Sequence, residues 1–368
     1  MKTYLRALLV GSCLIGVFAK PVYNQPEQTH ESPPEYQFTV EKRIPATPVK
    51  DQHNTGTCWC FATTSFIESE LLRTGQGEMD LSEMYFVRRA YELKADKYVR
   101  MHGTINFARG GLAMDVLDII RESGMMPQEA YPGDRMGDSL PVHGELDAVL
   151  RGYVDQVIKN KNHKLTPVWK DGFNGILDAY LGRVPESFEH NGSSLTPRSF
   201  ADNTGLDPDE YVAIGSFTHH PFYEQFILEI PDNWHWGSIY NVPLDEMMEL
   251  LEHALSNGYS VCWDADVGEK GYDWDRGVAL FPAPVTQEMR QKWFDDYQTT
   301  DDHLEHITGL ARDQEGNRFY LVKNSWGSAG HIYQGYHYVS EPYMRAKTLF
   351  LMVHKDAVPP PLANRLKL

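Results

Sequence analysis

The sequence predicts an α+β protein whose first two thirds are mainly helical and whose last third is mainly strand. Up to residue 255, five segments carry apolar residues at helical spacing; from Ser260 onward, short apolar runs typical of strands replace them. The chain has 368 residues and 42% hydrophobic content, enough for a substantial core in one large or two modest domains.

Each predicted helix has an apolar stripe that can pack on a core. The first begins at about Cys58 and runs to Arg73, where Gly75 ends it. The other predicted helices lie at residues 112–122, 143–159, 169–180 and 244–255.

The predicted strands follow in the last third of the chain, at residues 261–267, 306–312, 319–324 and 349–354. Gly316 and Asn317 lie between the second and third of these runs, as in a hairpin turn. We expect those two strands to be antiparallel neighbours.

The N-terminus has the features of an export signal. Lys2 and Arg6 precede an apolar run at residues 7–18 that is too short to span a bilayer, and Ala19 offers a cleavage site. We therefore expect residues 1–19 to be a signal peptide and the protein to be exported, to the periplasm or the medium. A lipoprotein acylated at Cys13 is the less favoured alternative, because only six apolar residues precede it. Residues 20–45 are rich in Pro, Gln and Glu and predict a mobile leader.

Charge and cysteine content limit which partners and which chemistry are expected. The formal charge of −17 disfavours nucleic acid and anionic membranes as partners, and no other segment is long enough to span a membrane. After signal removal, Cys58, Cys60 and Cys262 remain. The economical interpretation is that no structural disulfide forms and that at least one thiol is kept for chemistry.

Cys58 is the candidate nucleophile. At the start of a helix, unpaired backbone N–H groups and the helix dipole favour a thiolate, and Gly56 permits the tight turn before it. A lone cysteine in such a place is more often a small buried hydrophobe. Gln52 strengthens the catalytic interpretation, because its amide could join the Cys58 backbone N–H in an oxyanion hole.

A candidate base lies far downstream. His303 precedes one predicted strand and Asn324 ends the next, so a hairpin would place the imidazole beside an amide that can orient it. His306 is the competing candidate, but strand alternation puts it on the face opposite His303. We expect no metal or organic cofactor.

Several motifs resemble those of papain-like cysteine peptidases. TPVKDQHNTGTCWCFA at 47–62 is similar to their nucleophile segment. LSEMY at 81–85 is similar to their LSEQ turn, and YLVKNSWG at 320–327 to their most specific motif. GG at 110–111, GMMPQEAYPG at 124–133 and DHLEHITGL at 302–310 fit the same pattern, in the family's order. Within the superfamily, the segments at 195–217, 240–268 and 330–336 are more similar to the bleomycin hydrolase and aminopeptidase C branch.

The resemblance implies a two-lobed fold with a helical insertion. It divides the chain into a helical lobe at 46–133, the insertion at 134–257, a lobe resembling an antiparallel β-barrel at 258–358 and a C-terminal arm at 359–368. A homo-oligomer is left open, because the branch's insertion supports ring assembly.

The same resemblance assigns roles to the residues that match its motifs. Cys58 would be the nucleophile, His303 the base, Asn324 its orienting amide and Gln52 the oxyanion donor, while Trp326 would shield the contact between His303 and Asn324 from water. Gly111 would offer its backbone to the substrate, with Gly110 keeping the cleft wall close. Cys60 is expected to pack in the core, with a resolving thiol for oxidised Cys58 as the minor alternative.

Peptides are the expected substrates, and the mode of cleavage depends on the C-terminal arm. In the branch, that arm fills the unprimed side of the cleft and makes the enzyme an aminopeptidase. Here either Arg365 to Leu368 still reach the cleft, or the cleft is open and the enzyme is an endopeptidase; we favour the aminopeptidase. An inactive papain-like binding protein is the alternative of another class.

Overall fold

The helices and strands of the computed structural model are described for residues 36–368, except 134, 136, 138–140 and 163. The α-helices are α1 Cys58–Arg73, α2 Glu83–Arg100, α3 Ala113–Ser123, α4 Gly144–Ile158, α5 Val168–Tyr180, α6 Pro197–Thr204, α7 Leu244–Ser256, α8 Gln287–Asp295, α9 Glu341–Lys347 and α10 Pro360–Leu366. The strands are β1 Thr39–Arg43, β2 Phe188–His190, β3 Ser193–Leu195, β4 Tyr211–Gly215, β5 Gln225–Ile227, β6 Ser238–Asn241, β7 Val261–Ala265, β8 Tyr272–Asp273, β9 Val278–Ala279, β10 His303–Arg312, β11 Arg318–Lys323, β12 Tyr336–Ser340 and β13 Thr348–His354.

One large sheet organises residues 37–368, which form a single unit. Its strand order is β5-β6-β4-β13-β7-β10-β11-β12-β9-β8, with β1 paired to β10 and with β2 and β3 in a separate hairpin. β10 and β11 are antiparallel neighbours joined by a short turn, as the sequence predicts. Among the described helices, none has the length and apolar content needed to cross a membrane.

The sheet separates two cores, because alternate side chains of each strand point to opposite faces. On β7, Cys262 packs in the core that contains α1, and its sulfur lies 3.6 Å from Thr63 Oγ1. The neighbouring Trp263 packs in the core that contains α7. The helices α1 and α7 therefore lie on opposite faces of the sheet.

The predicted helices and strands are confirmed with small shifts of their ends, and α1 has the predicted bounds. The helix α2 was not predicted, although Ser82 accepts a hydrogen bond from the Tyr85 N–H as its N-cap and one face of the helix is buried. The turn at 81–85 thus leads directly into the longest helix in the described chain.

Two of the predicted segments differ from the structure. The signal peptide and residues 20–35 of the leader lie outside the described residues. Residues 39–43 form β1, which pairs with β10, so the prediction of a mobile leader is wrong for them. The insertion at 134–257 is only partly helical, since β4, β5 and β6 join the main sheet. Pairing of β4 with β13 makes that part of the insertion continuous with the strand lobe.

Candidate active site

Cys58 is the first residue of α1, at the end of a tight loop that begins at Gln52. Within the loop, Thr55 Oγ1 donates a hydrogen bond to the Gln52 carbonyl at 2.8 Å. Gly56 has φ +63°, and a Cβ there would lie 2.1 Å from Arg109 Cδ, so only glycine fits this turn. All three described cysteines are free, but Cys58 is partly exposed while Cys60 and Cys262 are buried. Solvent exposure thus singles out Cys58 among the described thiols.

The hairpin of β10 and β11 brings His303 and Asn324 together. His303 begins β10, Asn324 directly follows β11, and His303 Nε2 lies 2.8 Å from Asn324 Oδ1. Because the amide oxygen accepts from Nε2–H, Nδ1 is the nitrogen that can take a proton. The Trp326 ring covers the pair, with its centroid 4.6 Å from that of the imidazole.

Gln52 is fixed by the segment that follows Asn324. Ser325 Oγ donates to Gln52 Oε1 at 2.6 Å, and the Gln52 N–H donates to the Ser325 carbonyl at 2.8 Å. With its oxygen occupied, the buried side chain of Gln52 presents Nε2 as its remaining donor. That is the atom an oxyanion hole would need.

The Cys58 sulfur contacts the backbone of the residue that follows His303. The Leu304 N–H hydrogen-bonds to Sγ, so the thiol lies against the residue that follows the imidazole. The side chains of Cys58 and His303 are not hydrogen-bonded to each other. The structure therefore brings Gln52, Cys58, His303 and Asn324 to one place, with the thiol and imidazole not directly paired.

Electrostatics at the thiol differ from the sequence expectation. Burial raises the pKa of Cys58 to about 12, the Leu304 N–H opposes this rise, and Asp301 and Asp264 add to it. Burial also lowers the pKa of His303. The expectation that the thiol pKa is lowered is wrong for this state, because burial and nearby carboxylates outweigh the backbone N–H groups that lower it.

Gly110 and Gly111 form a wall beside Cys58. Trp59 Nε1 donates to the Arg109 carbonyl at 3.0 Å, which ties the start of α1 to this segment. A Cβ on Gly111 would lie 3.1 Å from the Trp59 ring, and one on Gly110 would lie 1.7 Å from Asp232 Oδ2. The two glycines therefore permit close approach on both sides, and the Asp232 carboxylate rests directly on Gly110.

A buried polar chain behind His303 was not predicted. Asn324 Nδ2 lies 2.9 Å from the Tyr272 hydroxyl, which donates to Glu305 Oε1 at 2.9 Å. Glu305 lies 4.0 Å from His303 Nε2 and 3.5 Å from His337 Nε2. The sequence signal was a glutamate inside a strand, two residues after His303 and on the same face.

Two aspartates near the thiol were also missed. Asp264 lies on β7 opposite Leu304, and Asp301 lies two residues before His303. An aspartate inside the apolar run VCWDA was the available signal, because a fully buried carboxylate is rare in a strand core.

The two competing candidates have structural roles. His306 is buried, and its Nδ1 lies 2.9 Å from Ser65 Oγ on α1. Cys60 is buried with its sulfur 3.3 Å from the Glu83 carbonyl oxygen. Cys60 therefore packs in the core, as expected.

The C-terminal arm lies away from Cys58. Leu362 and Leu366 of α10 pack in the core that contains α7, and Arg365 Nη1 donates to the Tyr223 hydroxyl at 2.7 Å and lies 2.9 Å from Glu246. Arg365 is held at Tyr223 and Glu246, so the structure contradicts the first of the two alternatives, in which Arg365 to Leu368 reach the cleft.

One group among the described residues has donor atoms spaced for a metal ion. His219, His220 and Glu229 place one ligand atom each within 4.8 Å of the others. Both imidazoles hydrogen-bond to Glu229, at 3.2 and 2.7 Å. None of these three residues hydrogen-bonds to Cys58, His303 or Asn324, so the group is separate from the thiol site.

Two family models match the chain in succession. Residues 33–165 match the papain family cysteine protease model, and residues 185–367 match the peptidase C1-like family model. The structure of PepW from Lactobacillus rhamnosis superposes with a TM-score of 0.72 over 89% of this chain and 84% of that chain, at 19% identity. That superposition confirms the papain-like α+β fold.

Curated relatives agree with the models. Aminopeptidase C of Lactococcus lactis subsp. cremoris is 22% identical over 88% of this chain and 83% of its own length, and aminopeptidase E of Lactobacillus helveticus is 23% identical over 83% and 81%. Cysteine proteinase 1 of Entamoeba histolytica is 33% identical over 47% of this chain and 52% of its own length. The chain therefore belongs to the papain-like cysteine peptidases, in the branch of bleomycin hydrolase and aminopeptidase C.

Proposed function

We propose that this cysteine peptidase is an aminopeptidase that uses Cys58 as its nucleophile and His303 as its general base. The relatives matched over most of both chains are aminopeptidases C and E, which supports cleavage at the N-terminus. The His303–Asn324 hydrogen bond of 2.8 Å, beside the partly exposed Cys58, supports the catalytic roles.

The chemistry follows from the positions of these groups. Cys58 Sγ gives its proton to His303 Nδ1 as it attacks the peptide carbonyl carbon. Gln52 Nε2 and the Cys58 backbone N–H hold the oxyanion, and the imidazolium then protonates the leaving amine. Water, deprotonated by His303, hydrolyses the thioester and restores the thiol.

The observation that carries the aminopeptidase assignment is the segment 228–237 on the cleft wall. Its Asp232 rests on Gly110 and accepts a hydrogen bond from Asn106 Nδ2 at 2.9 Å, while Trp234 Nε1 donates to Asp115 Oδ2 at 2.8 Å. These contacts fix the segment against the wall that would hold the unprimed part of a peptide. A substrate that extends far beyond the scissile residue would meet this segment, which would then block the unprimed side in place of the C-terminal arm.

Peptides with free and blocked N-termini test the assignment. We expect purified enzyme to hydrolyse Ala-Ala-Ala from its N-terminus and to leave N-acetyl-Ala-Ala-Ala uncut, with products identified by mass spectrometry. Comparable cleavage of both peptides would contradict the proposal and favour an endopeptidase with an open cleft.

Export and assembly complete the proposal. The basic and apolar pattern of residues 1–19 supports export with cleavage after Ala19. Intact mass of the secreted protein would then correspond to a chain beginning at Lys20, and the full-length mass would argue against it. Resemblance to the branch supports a homo-oligomer, which light scattering would detect as a multiple of the protomer mass.

A further inference from the structure

The pair Asp264 and Asp301 lies next to the nucleophile without a catalytic role assigned above. Asp264 faces the α1 side of the sheet, since Cys262, two residues earlier on the same face, contacts Thr63 of α1. Its pairing partner on β10 is Leu304, whose N–H contacts Cys58 Sγ. The Asp264 carboxyl group therefore points to the end of the sheet that holds the thiol.

The pair has no cationic partner in the described chain. Asp264 is fully buried, and neither of its oxygens, nor Oδ2 of Asp301, accepts a hydrogen bond from a described donor group of the protein. None of the ion pairs among the described residues includes Asp264 or Asp301, although the two carboxyl groups contact each other. Buried carboxylates are normally paired with a cation or with several donors. The described residues provide neither a cation nor several donors to this pair.

We propose that Asp301, with Asp264 behind it, binds the protonated α-amino group of the peptide substrate. This inference rests on the proposed aminopeptidase function and names the group that recognises the free N-terminus. Asp301 is only half-buried and forms the accessible edge, while the Asp264 carboxyl group lies behind it and offers further acceptor oxygens. An ammonium group offers three N–H donors to the oxygens that lack them.

Distance along the substrate agrees with this placement. In an aminopeptidase substrate, the α-amino group is two bonds from the scissile carbonyl carbon that Cys58 attacks. Its partner must therefore lie beside the sulfur, and both Asp301 and Asp264 are close enough to raise the pKa of Cys58. Asp232 on Gly110 is a third acid that faces the pair, so the unprimed end of the site is negative overall.

Affinity for the ammonium group should depend on pH. The charged and titratable groups that face the pair are Asp232, Asp302 and the Cys58 thiol. Burial, then Asp232, raises the pKa of Asp301 to about 7. Because binding needs an ionised Asp301 and a protonated amine, affinity should rise as pH increases through about 7 and fall above the amine pKa of about 8.

Binding measurements in an inactive background separate recognition from chemistry. Isothermal titration calorimetry on Cys58→Ala protein would compare Ala-Ala-Ala, N-acetyl-Ala-Ala-Ala and N-acetyl-Lys-Ala-Ala, the last to detect a site for a basic side chain. With Asp301→Asn added, we expect Kd for Ala-Ala-Ala to rise at least about tenfold, as for loss of a partly buried charge pair. Kd for both acetylated peptides should stay within about twofold.

Asp202→Asn is the matched control, because it removes the same charge from an exposed position on α6; it should change each Kd by less than about twofold. Asp264→Asn is a second test of the pair, with circular dichroism to confirm folding. Unchanged Kd for Ala-Ala-Ala in Asp301→Asn and Asp264→Asn would overturn the inference while leaving an aminopeptidase intact. Weaker binding of the N-acetyl-Lys peptide alone would also overturn it. Failure of the proposed function would be seen separately, as cleavage of acetylated peptides by the wild-type enzyme.

Discussion

The Cys58 thiol lies where two opposing effects act on its proton. The start of α1 and the Leu304 N–H favour the thiolate, whereas burial and the carboxylates of Asp301 and Asp264 favour the thiol. The second set dominates, and the pKa is about 12. A bound substrate ammonium would offset the two carboxylates, so recognition of the N-terminus would also favour formation of the nucleophile.

Replacement of the nucleophile gives the first prediction. Cys58→Ala should abolish peptide hydrolysis with the fold intact, because no other described thiol is exposed at the site. The matched control is Cys60→Ser, which keeps a polar hydrogen at the contact with the Glu83 carbonyl and should retain most of the activity. Substantial turnover by purified Cys58→Ala protein would refute the assignment.

Glu305 gives a second prediction, on pH dependence. This buried carboxylate raises the pKa of His303, against the larger lowering by burial. In Glu305→Gln, the imidazolium loses that support, so its pKa should fall. The acidic limb of the kcat/KM profile, where the imidazolium loses its proton and becomes the base, should then move to lower pH by about 0.5 to 1 unit.

The control for Glu305 is Glu122→Gln, an exposed position at which the pH profile should not move. A shift of the acidic limb to higher pH, or none, would mean that Glu305 has only a structural role.

Much of the candidate site could be predicted from sequence because each member belongs to a local motif. Cys58 is marked by a helix start, and His303 and Asn324 by a hairpin, all features of short range. Asp264 and Glu305 could not be assigned in this way. Their roles depend on which strands are neighbours, and that pairing joins segments about 40 residues apart in the chain.

At the level of elements, the same distinction holds. Helices such as α1 and α7 have a period that is visible in the chain, and their predicted bounds agree with the structure to within one residue. The strands β4 to β6 are three to five residues long and gain their stability from pairing, so a local pattern carries little signal for them. The segment around β1 is rich in proline, glutamine and glutamate, so its local pattern did not indicate a strand either.

The strand β1 gives the third prediction. It pairs with residues 309–312 of β10, and Phe38 just before it stacks on Tyr338 with ring centroids 3.8 Å apart. Phe38→Ala should lower the free energy of unfolding by about 1–3 kcal/mol, through lost aromatic packing. Urea denaturation followed by circular dichroism would measure the change.

Val40→Ala is the control on the same strand, because its side chain is 40% exposed and its loss should cost less than about 0.5 kcal/mol. Equal stability of Phe38→Ala and wild-type protein would show that the segment before β1 contributes nothing to the fold.

At the scale of the whole molecule, the insertion at 134–257 depends on the rest of the chain. Its strand β4 pairs with β13, and Phe173 of α5 packs edge-on against Phe107 with ring centroids 6.3 Å apart. On the other side of the sheet, α7 closes the second core over β7 and β10. The insertion therefore completes both cores and places Asp232 at the cleft wall at the same time.

This dependence predicts that residues 134–257 do not fold when expressed alone. Without β13 the edge of β4 is unpaired, and without α2 the apolar faces of α4 and α5 are exposed, so burial cannot offset the lost conformational entropy. The isolated fragment should show no cooperative thermal transition by circular dichroism. Residues 37–368 should unfold in one transition that is the same by circular dichroism and by tryptophan fluorescence. A cooperative thermal transition of the fragment would mean instead that the insertion is an independent domain. The contacts that fix Asp232 on Gly110 would then belong to a domain interface and not to a shared core.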